Sequence, residues 1–446
     1  MISQPSLWSF ISGSYPDLIP SLLDRSKCAE LDVHVTSRRV PEVIRYINSH
    51  VHRLSSLHFE FDYGGGDGVD AALRGLGAAP KLRRLTIDCP ELFFPDPPEY
   101  TPGINNPIPS LHYLQLNGFP VTPQLIQLRN LTVVGLDARR ATPRTVLDLL
   151  SRNPLLRVVH LWGGYSPEAL DGDNGHPPGS ITLDHLEVIL LEMTPLIHFE
   201  ALSPPHGTRI FSGFARGVGS HGAGGGSYAA SFPIPGSFSN LQGLRKLCLV
   251  DQKEIYVKLE GERGSITYCM SPERPFGAGT FGGVPLEEVT DATYELSTLF
   301  RYDSFARPTT SQPMVSRIVS AMVRLQKLEL SCGVEEVEYF LLVLYSPRVC
   351  RDLRILVLSH CTELYRRMGG LAVLAEIRKA EGIGLDTVRI VHPNIRQLKG
   401  TFKQGDVTRL ERAVGALEYV EAERGRSGRS SLRFDPVVGI NQPFIF

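Results

Sequence analysis

The sequence predicts an α/β fold in which a curved parallel β-sheet carries helices and loops on its convex side. Three observations lead to this prediction. A short leucine pattern recurs along the chain, its spacing is nearly constant over five intervals, and segments with helical periodicity lie between several copies. The 446 residues exceed the usual size of one compact domain, whereas a stack of repeats can grow to that length.

The recurring pattern is L-x-x-L-x-L, in which valine, isoleucine or phenylalanine sometimes replaces leucine. Its copies span residues 54–59, 82–87, 111–116, 128–133, 156–161, 183–188, 244–249, 325–330, 353–358 and 385–390. Five of the intervals between first leucines measure 27 to 29 residues, which is typical of leucine-rich repeats. The alternating end of each copy predicts a half-buried strand. We therefore expect a leucine-rich-repeat solenoid, with strands beginning near residues 30, 56, 84, 113, 130, 157, 186, 246, 327 and 355.

Helix-like segments connect several of these strands. Apolar residues recur with helical spacing in 40–51, 142–154, 334–345 and 371–382. Thr142 followed by Pro143 is a typical helix start, because threonine caps the first turn and proline fits inside it. The 17 residues from Leu111 to Leu128 are too few for a helix, so an extended loop is expected there. A final amphipathic helix is expected at 406–424.

Composition divides the chain into an N-terminal cap, a repeat domain and a C-terminal helix with a basic tail, at residues 1–27, 28–395 and 396–446. Two insertions rich in glycine and proline are expected inside the repeat domain, at about 200–240 and 262–312. The second insertion contains PLEEVT at 285–290, which has the pattern of a degenerate repeat. The basic segment at 424–433 is more typical of a solvated tail than of a nucleic-acid site.

Charge and cysteine content disfavour several classes of function. The 46 basic and 47 acidic residues give a formal net charge of -1, which provides no general attraction to nucleic acid or anionic lipid. The seven cysteines include no C-x-x-C pair, so neither a zinc knuckle nor a closed disulfide framework is indicated. Because the sequence shows neither a signal peptide nor a long apolar run, we expect a cytoplasmic or nuclear protein without a membrane span.

No motif for catalysis or for a cofactor is found. The sequence contains neither G-x-S-x-G nor H-E-x-x-H. Residues 217–222 match G-x-G-x-x-G, but the glycine run that follows disfavours the helix that a dinucleotide site requires. His50, His52 and His58 lie close in sequence without the further ligands of a metal site. We therefore expect a protein that is not an enzyme and that binds no cofactor and no metal.

The candidate functional site is the concave face of the predicted sheet. The position that follows each copy of the pattern should point outward, and it is apolar in four successive copies in the middle of the series: Val134, Trp162, Ile189 and Val250. Because adjacent parallel strands lie about 4.8 Å apart, these four would form an exposed stripe, with His160 and Glu187 as its polar rim. Such a stripe with a tryptophan is typical of a protein-binding hot spot. The alternative is that the glycine-rich insertion covers the stripe and buries it.

The first forty residues resemble the junction found in large fungal families of F-box proteins. The P-S-L-W box that ends the F-box in those families is matched by Pro5, Ser6, Leu7 and Trp8. The segment that opens their leucine-rich repeats, L-x-R-S-x-x-x-x-L-D-V, is matched by Leu23, Arg25, Ser26, Leu31, Asp32 and Val33. The resemblance implies the substrate-recognition part of an F-box subunit of an SCF-type ubiquitin ligase.

Family members use the helices that precede this box to dock the adaptor subunit of the ligase. The sequence begins after the position of those helices, so we expect that this chain does not bind the adaptor. The partner is then an unidentified protein that the repeats recognise. Two alternatives remain from the sequence: a leucine-rich-repeat scaffold, or a decoy without an F-box, neither of them linked to ubiquitin.

Overall fold

The computed structural model describes residues 4–36, 40–60, 79–88, 108–119, 121, 123–163, 180–192, 199–213, 238–251, 255–270, 286–296, 318–361 and 363–422. The chain divides into two compact units. The first contains Met1–Gln242 and Glu262–Thr267, and the second contains Gly243–Gly261 and Pro285–Phe446. The glycine-rich motif at 217–222 and the basic segment at 424–433 lie outside the described residues.

The first unit is built on a parallel sheet. Its strands are β1 Phe10–Ser12, β2 Leu31–Thr36, β3 Leu54–Glu60, β4 Arg84–Asp88, β5 Tyr113–Asn117, β6 Val133–Asp137, β7 Val158–Trp162, β8 Ile181–Thr182, β9 Val188–Glu192, β10 Leu202–Ser203 and β11 Arg209–Gly213. Parallel ladders join them in the order β1-β2-β3-β4-β5-β6-β7-β9-β11. Strands β8 and β10 form a separate parallel pair.

The register of these strands explains why the leucine pattern produces a sheet. Directly paired residues form an apolar row across the unit, each at most 2% exposed: Val33, Leu57, Leu85, Leu114, Val134, Val159, Ile189 and Ile210. From β2 to β9, each strand of the ladder adds a second buried apolar side chain two positions later. Burial of one such side chain contributes about 1.5–3 kcal/mol, so the rows are a major source of stability.

The helices of the first unit are α1 Ile19–Ser26, α2 Val40–Ile47, α3 Pro123–Ile126 and α4 Pro143–Ser151. Short 3-10 helices occupy Pro5–Trp8, Pro16–Leu18, Asn48–Arg53, Ala138–Arg140 and Ser239–Leu241. Helix α4 begins as predicted, because Thr142 Oγ1 accepts a hydrogen bond from the Thr145 N–H at 3.1 Å. Helix α3 lies where the sequence predicted only an extended loop. That prediction is wrong, since a single helical turn fits in the short interval.

A buried asparagine follows helix α4 and ties it to the neighbouring repeat. Asn153 is fully buried. Its amide donates to the carbonyl oxygens of Leu128 at 3.1 Å and Leu149 at 2.8 Å, and its Oδ1 accepts from the Leu131 N–H at 3.0 Å. One side chain thus satisfies three backbone groups that would otherwise be buried without partners.

Two copies of the pattern were predicted in the wrong register. The sheet uses 131–136 and 186–191 instead of 128–133 and 183–188. Both readings fit L-x-x-L-x-L, and the observed one makes Leu131 the first leucine of its copy rather than the second. Asn130 has a left-handed backbone, with φ of 71°, and turns the chain directly before that leucine. The new register takes Val134 and Ile189 into the core.

The second unit contains a mostly parallel sheet. Its strands are β12 Leu244–Asp251, β13 Ile255–Gly261, β15 Asp291–Leu296, β16 Lys327–Ser331, β17 Ile355–Ser359, β18 Thr387–His392 and β19 Ala416–Glu421. Strand β14, Ser265–Met270, falls at the boundary of the two units. Parallel ladders run in the order β12-β15-β16-β17-β18-β19, and β13 pairs with β12 in an antiparallel hairpin. The leucine pattern gave no indication of this hairpin.

The helices of the second unit are α5 Val334–Leu344, α6 Met368–Ala380, α7 Ile395–Lys399 and α8 Gln404–Ala413, with 3-10 helices at Leu286–Glu288 and Leu364–Arg366. The predicted helix at 406–424 is wrong beyond Ala413, because the chain then forms β19 beside β18. Gly415 permits this change. A Cβ at that position would lie 2.6 Å from the carbonyl oxygen of Asp386, a contact that only glycine avoids.

The prediction of an α/β fold with a large, mostly parallel sheet is confirmed. The ten expected strand positions each lie within three residues of an observed strand start. Two further strands of the long parallel ladders lie inside the predicted insertions: β11 in the first, and β15 in the second directly after the degenerate repeat at 285–290. No described helix has both the length and the apolar character that crossing a lipid bilayer requires.

Candidate functional site

The buried apolar rows lie on one side of the first unit's sheet. The candidate site lies on the other side, which we call the open face. Side chains that alternate with the buried ones form its rows. The central row consists of His34, His58, Thr86, Gln115, Gly135 and His160. The row at the carboxyl ends of the strands, called the end row, consists of Thr36, Glu60, Asp88, Asn117, Asp137 and Trp162.

The indole of Trp162 lies across this face instead of extending into solvent. Its Nε1 donates a hydrogen bond to Asn117 Oδ1 at 3.0 Å, although Asn117 belongs to β5 and Trp162 to β7. The intervening strand contributes Gly135, where a Cβ would lie only 3.1 Å from Trp162 Cζ3. The ring of His160 packs at 4.7 Å from the indole with an interplanar angle of 54°. The glycine therefore makes room for an aromatic ring that is fixed in position and remains partly exposed.

Polar contacts continue from the indole along the end row. The amide of Asn117 donates to Asp88 Oδ1 at 2.7 Å. In the neighbouring part of β5, the Tyr113 hydroxyl donates to Gln115 Oε1 at 2.6 Å, and burial raises the pKa of Tyr113 above its usual range. Asn117 thus uses both ends of its amide, one toward the indole and one toward a carboxylate.

A buried ion pair supports the end row beside Trp162. The Asp137 side chain is only 1% exposed and accepts from Arg139 Nε at 2.9 Å and Nη2 at 2.7 Å. Asp137 Oδ2 also accepts from the Gly118 N–H at 3.2 Å. Gly163 has a φ of 75°, and a Cβ there would lie 2.7 Å from Arg139 Nε. The positive charge of Arg139 offsets the negative charge of Asp137. The position of the Arg139 side chain requires a glycine directly after β7.

Two stacked histidines lie on the same open face, in strands β2 and β3. The rings of His34 and His58 lie 4.4 Å apart and are nearly parallel, and His34 Nε2 is 3.3 Å from Glu60 Oε2. Burial lowers the pKa of His58, and the charge of His34 lowers it further, against smaller opposing effects of Asp88 and Glu60. This shift favours the neutral form of His58 at neutral pH.

Three of the four residues of the predicted apolar stripe are buried in the structure. The expectation that Val134, Ile189 and Val250 are exposed is wrong: each is at most 2% exposed. The first two fill the apolar row because of the register change, and Val250 lies in β12 of the second unit. The stripe is therefore not available as a binding surface.

His160 and Trp162 do point to the open face, as predicted. Trp162 is partly exposed, whereas His160 is 9% exposed under the neighbouring groups. Glu187 is exposed but lies before β9, at the amino ends of the strands, where Arg157 Nη2 pairs with its Oε1 at 2.7 Å. It therefore forms no rim beside Trp162.

Sequence reasoning missed Gly135 and the roles of Asn117 and Asp88. A glycine inside a strand is itself a signal, because it often marks a close approach of another group. The pairing of Asn117 with the indole has no local signal, since 45 residues separate the two side chains in sequence. Only the strand register brings them together.

The residues that resemble the F-box junction lie in the N-terminal part of the first unit, from the 3-10 helix Pro5–Trp8 to strand β2. Pro5–Trp8 is a 3-10 helix, and the Arg25 guanidinium lies 4.7 Å from the centre of the Trp8 ring. Ser26 is fully buried, and its Oγ accepts from Arg53 Nη2 at 2.6 Å while donating to the Leu23 carbonyl. Trp8, Arg25 and Ser26 therefore have packing contacts within this part of the unit.

Four thiols of the second unit are described, and three of them are buried. Burial raises the pKa of Cys248 to about 12, and burial likewise raises that of Cys350 to about 12. A hydrogen bond with Cys332 lowers the pKa of Cys361, but both of these thiols are buried. Within the part of the chain that the structure describes, no three acidic, histidine or cysteine side chains are grouped as metal ligands.

Comparison with known proteins does not extend the assignment. No protein-family model matches the chain, and no curated protein is significantly similar to it. The geometry of the open face is therefore the basis for inferring a function.

Proposed function

We propose that the chain is a protein-binding module of the leucine-rich-repeat solenoid type and that the open face of its first unit contacts the partner. The proposed action is recruitment by complementary shape and hydrogen bonding, without bond chemistry. By the resemblance of its cap, the module corresponds to the substrate-recognition part of an F-box subunit. A scaffold or a decoy without a link to ubiquitin would use the same face, so the proposal on binding does not depend on this choice.

The observation that carries the proposal is the fixed indole of Trp162. Asn117 holds its N–H at 3.0 Å and Gly135 lies beneath the ring, so little rotamer freedom remains to be lost on binding. Tryptophan is enriched at binding hot spots, where a rigid aromatic ring is surrounded by polar groups. Here the surrounding groups are His160, Asn117 and Asp88, which give the ring the partly polar environment typical of a recognition surface.

Two variants of the open face test the proposal. Trp162→Ala removes the anchor, and Thr86→Arg adds a long charged side chain to the partly exposed centre of the face without changing a core residue. Thr182→Arg, at an exposed position of β8 away from the open face, makes the same substitution as a control. Cell extract is passed over each immobilised chain, retained proteins are identified by mass spectrometry, and the fold of each variant is checked by urea unfolding.

We expect a specific protein to be retained by the unaltered chain and by Thr182→Arg. Its retention should decrease about thirtyfold with either open-face variant, because a hot-spot residue typically contributes roughly 2 kcal/mol and about 1.4 kcal/mol corresponds to a factor of ten. If both open-face variants, still folded, retain the same proteins as the control, the proposed binding face is incorrect.

A further inference from the structure

The end row of the open face is acidic next to the indole. Glu60 and Asp88 are paired in register on neighbouring strands, so their carboxylates lie side by side. Within the described residues, neither carboxylate forms an ion pair with lysine or arginine, and the contact of Glu60 is with the His34 imidazole. Asp88 receives only the amide hydrogen bond of Asn117 there. This edge therefore presents about two negative charges.

Among the described residues, two arginines of these strands and their neighbours are already paired or lie elsewhere on the sheet. Arg139 neutralises Asp137 through two hydrogen bonds. Arg84 lies at the opposite end of the strand that carries Asp88, where its charge acts on Tyr113. The acidic edge is thus complementary to a positively charged group supplied by a partner.

The indole and the acidic edge are connected through one side chain. Asn117 accepts from Trp162 at 3.0 Å and donates to Asp88 at 2.7 Å, so a single amide bridges ring and carboxylate. A guanidinium group is planar and can stack on an aromatic ring while its N–H groups pair with a carboxylate. A lysine ammonium is a compact charge without that planar fork, and a phosphate group would be repelled by both carboxylates.

We propose that the open face recognises an arginine side chain in a basic polypeptide segment of the partner. The guanidinium stacks on the Trp162 indole and pairs with Asp88, and Glu60 attracts a second basic residue of the same segment. This inference rests on the proposed function and specifies the chemistry of the partner at that site.

Short blocked peptides of alternating glycine and arginine, or glycine and lysine, serve as the probes. They are titrated against the full chain carrying Trp8→Phe, in which Trp162 is the remaining one of the two tryptophans, and indole fluorescence reports binding. Asp88→Asn removes the charge but keeps an oxygen to accept from Asn117. Asp184→Asn removes an equal charge at an exposed position outside the open face and serves as the matched control.

We expect the arginine peptide to bind about tenfold more tightly than the lysine peptide, and Asp88→Asn to weaken arginine binding about tenfold, the ratio that one charge-assisted hydrogen bond provides. Asp184→Asn should leave binding unchanged within about twofold. Equal affinity for the two peptides, equal effects of the two aspartate variants, or no binding of the arginine peptide would each overturn the inference.

Failure of this inference is distinguishable from failure of the proposed function. If Trp162→Ala and Thr86→Arg abolish retention of a cellular protein while Asp88→Asn does not, the open face binds a partner without reading arginine. If none of the three changes retention, the face itself is not the binding surface.

Discussion

The glycine beneath the indole provides the most direct test of how the site is built. Gly135→Ala adds one methyl group, whose Cβ would lie 3.1 Å from Trp162 Cζ3 and 3.4 Å from Gln115 Cγ. Ordinary contacts between carbon atoms are about 3.5–4.0 Å, so the indole must move by about 0.4–0.9 Å. Gly135→Val adds two further methyl groups in the space that the ring occupies, and the indole must leave.

Gly135→Ala should disturb the site while changing the free energy of unfolding of the unit only slightly. Loss of the hydrogen bond between Trp162 Nε1 and Asn117 Oδ1 removes about 1 kcal/mol. Replacement of glycine by alanine restores about 0.4–1 kcal/mol, because the unfolded chain becomes less flexible. We therefore expect Gly135→Ala to change the free energy of unfolding by less than about 1 kcal/mol while it displaces the ring.

Fluorescence of Trp162 in a chain carrying Trp8→Phe measures this displacement. We expect Gly135→Val to shift the emission to longer wavelength and to increase quenching by iodide, with a smaller effect for alanine. Gly405→Ala serves as the control, since a Cβ there meets nothing within 4 Å. If valine at position 135 leaves emission and quenching equal to the control, the indole does not rest on this glycine and the reasoning fails.

Two further predictions concern the stability of the first unit, measured by urea unfolding with tryptophan fluorescence. Asn153→Ala should lower the free energy of unfolding by about 3 kcal/mol, because it removes the hydrogen-bond partner of the Leu131 N–H and of two carbonyls. The control Asn48→Ala, at an exposed position, should lower it by less than about 0.5 kcal/mol. Equal losses for the two variants would contradict the role of Asn153. Because the pKa of His58 is lowered below 6.5, the unfolded chain binds more protons as the pH falls below that value, and stability decreases. His58→Gln should flatten that decrease between pH 7 and 5, and His185→Gln, at an exposed position, should not; parallel curves would argue against a buried neutral imidazole.

The parallel sheet could be predicted because its signal is local and repeated. Strands β2 to β7 and β9 of the first unit each bury two apolar residues in alternation, and the pattern L-x-x-L-x-L contains both positions within six residues. Degenerate copies were harder to detect. In β11, Ile210 occupies the first of the two core positions and Ser212 occupies the second. The sequence of this strand therefore does not match the leucine pattern. It still forms a strand, because the neighbouring strand β9 supplies its hydrogen-bond partners.

The errors in register have a physical reason. In the segment from Leu128 to Leu136, two overlapping readings of the pattern each bury two apolar residues, so composition alone does not choose between them. The choice depends on the turn at Asn130 and on Asn153, which lies 22 positions after Leu131 in the sequence and accepts a hydrogen bond from its N–H. Tertiary contacts of this kind decide which side of a strand becomes the core, and a shift of one residue exchanges the two faces.

The same dependence on register explains why the candidate site differs in character from the one expected. The sequence predicted an apolar stripe, which would bind by area and would accept many partners. The register buries Val134 and Ile189 and leaves one aromatic ring held by Asn117, with Asp88 as the next group in the row. A face with one fixed ring and directed polar groups selects a partner by the geometry of a few contacts, because a mismatched partner leaves those polar groups desolvated and unpaired. Recognition by the open face should therefore depend more on the charge and planarity of a single side chain than on the hydrophobic content of the partner.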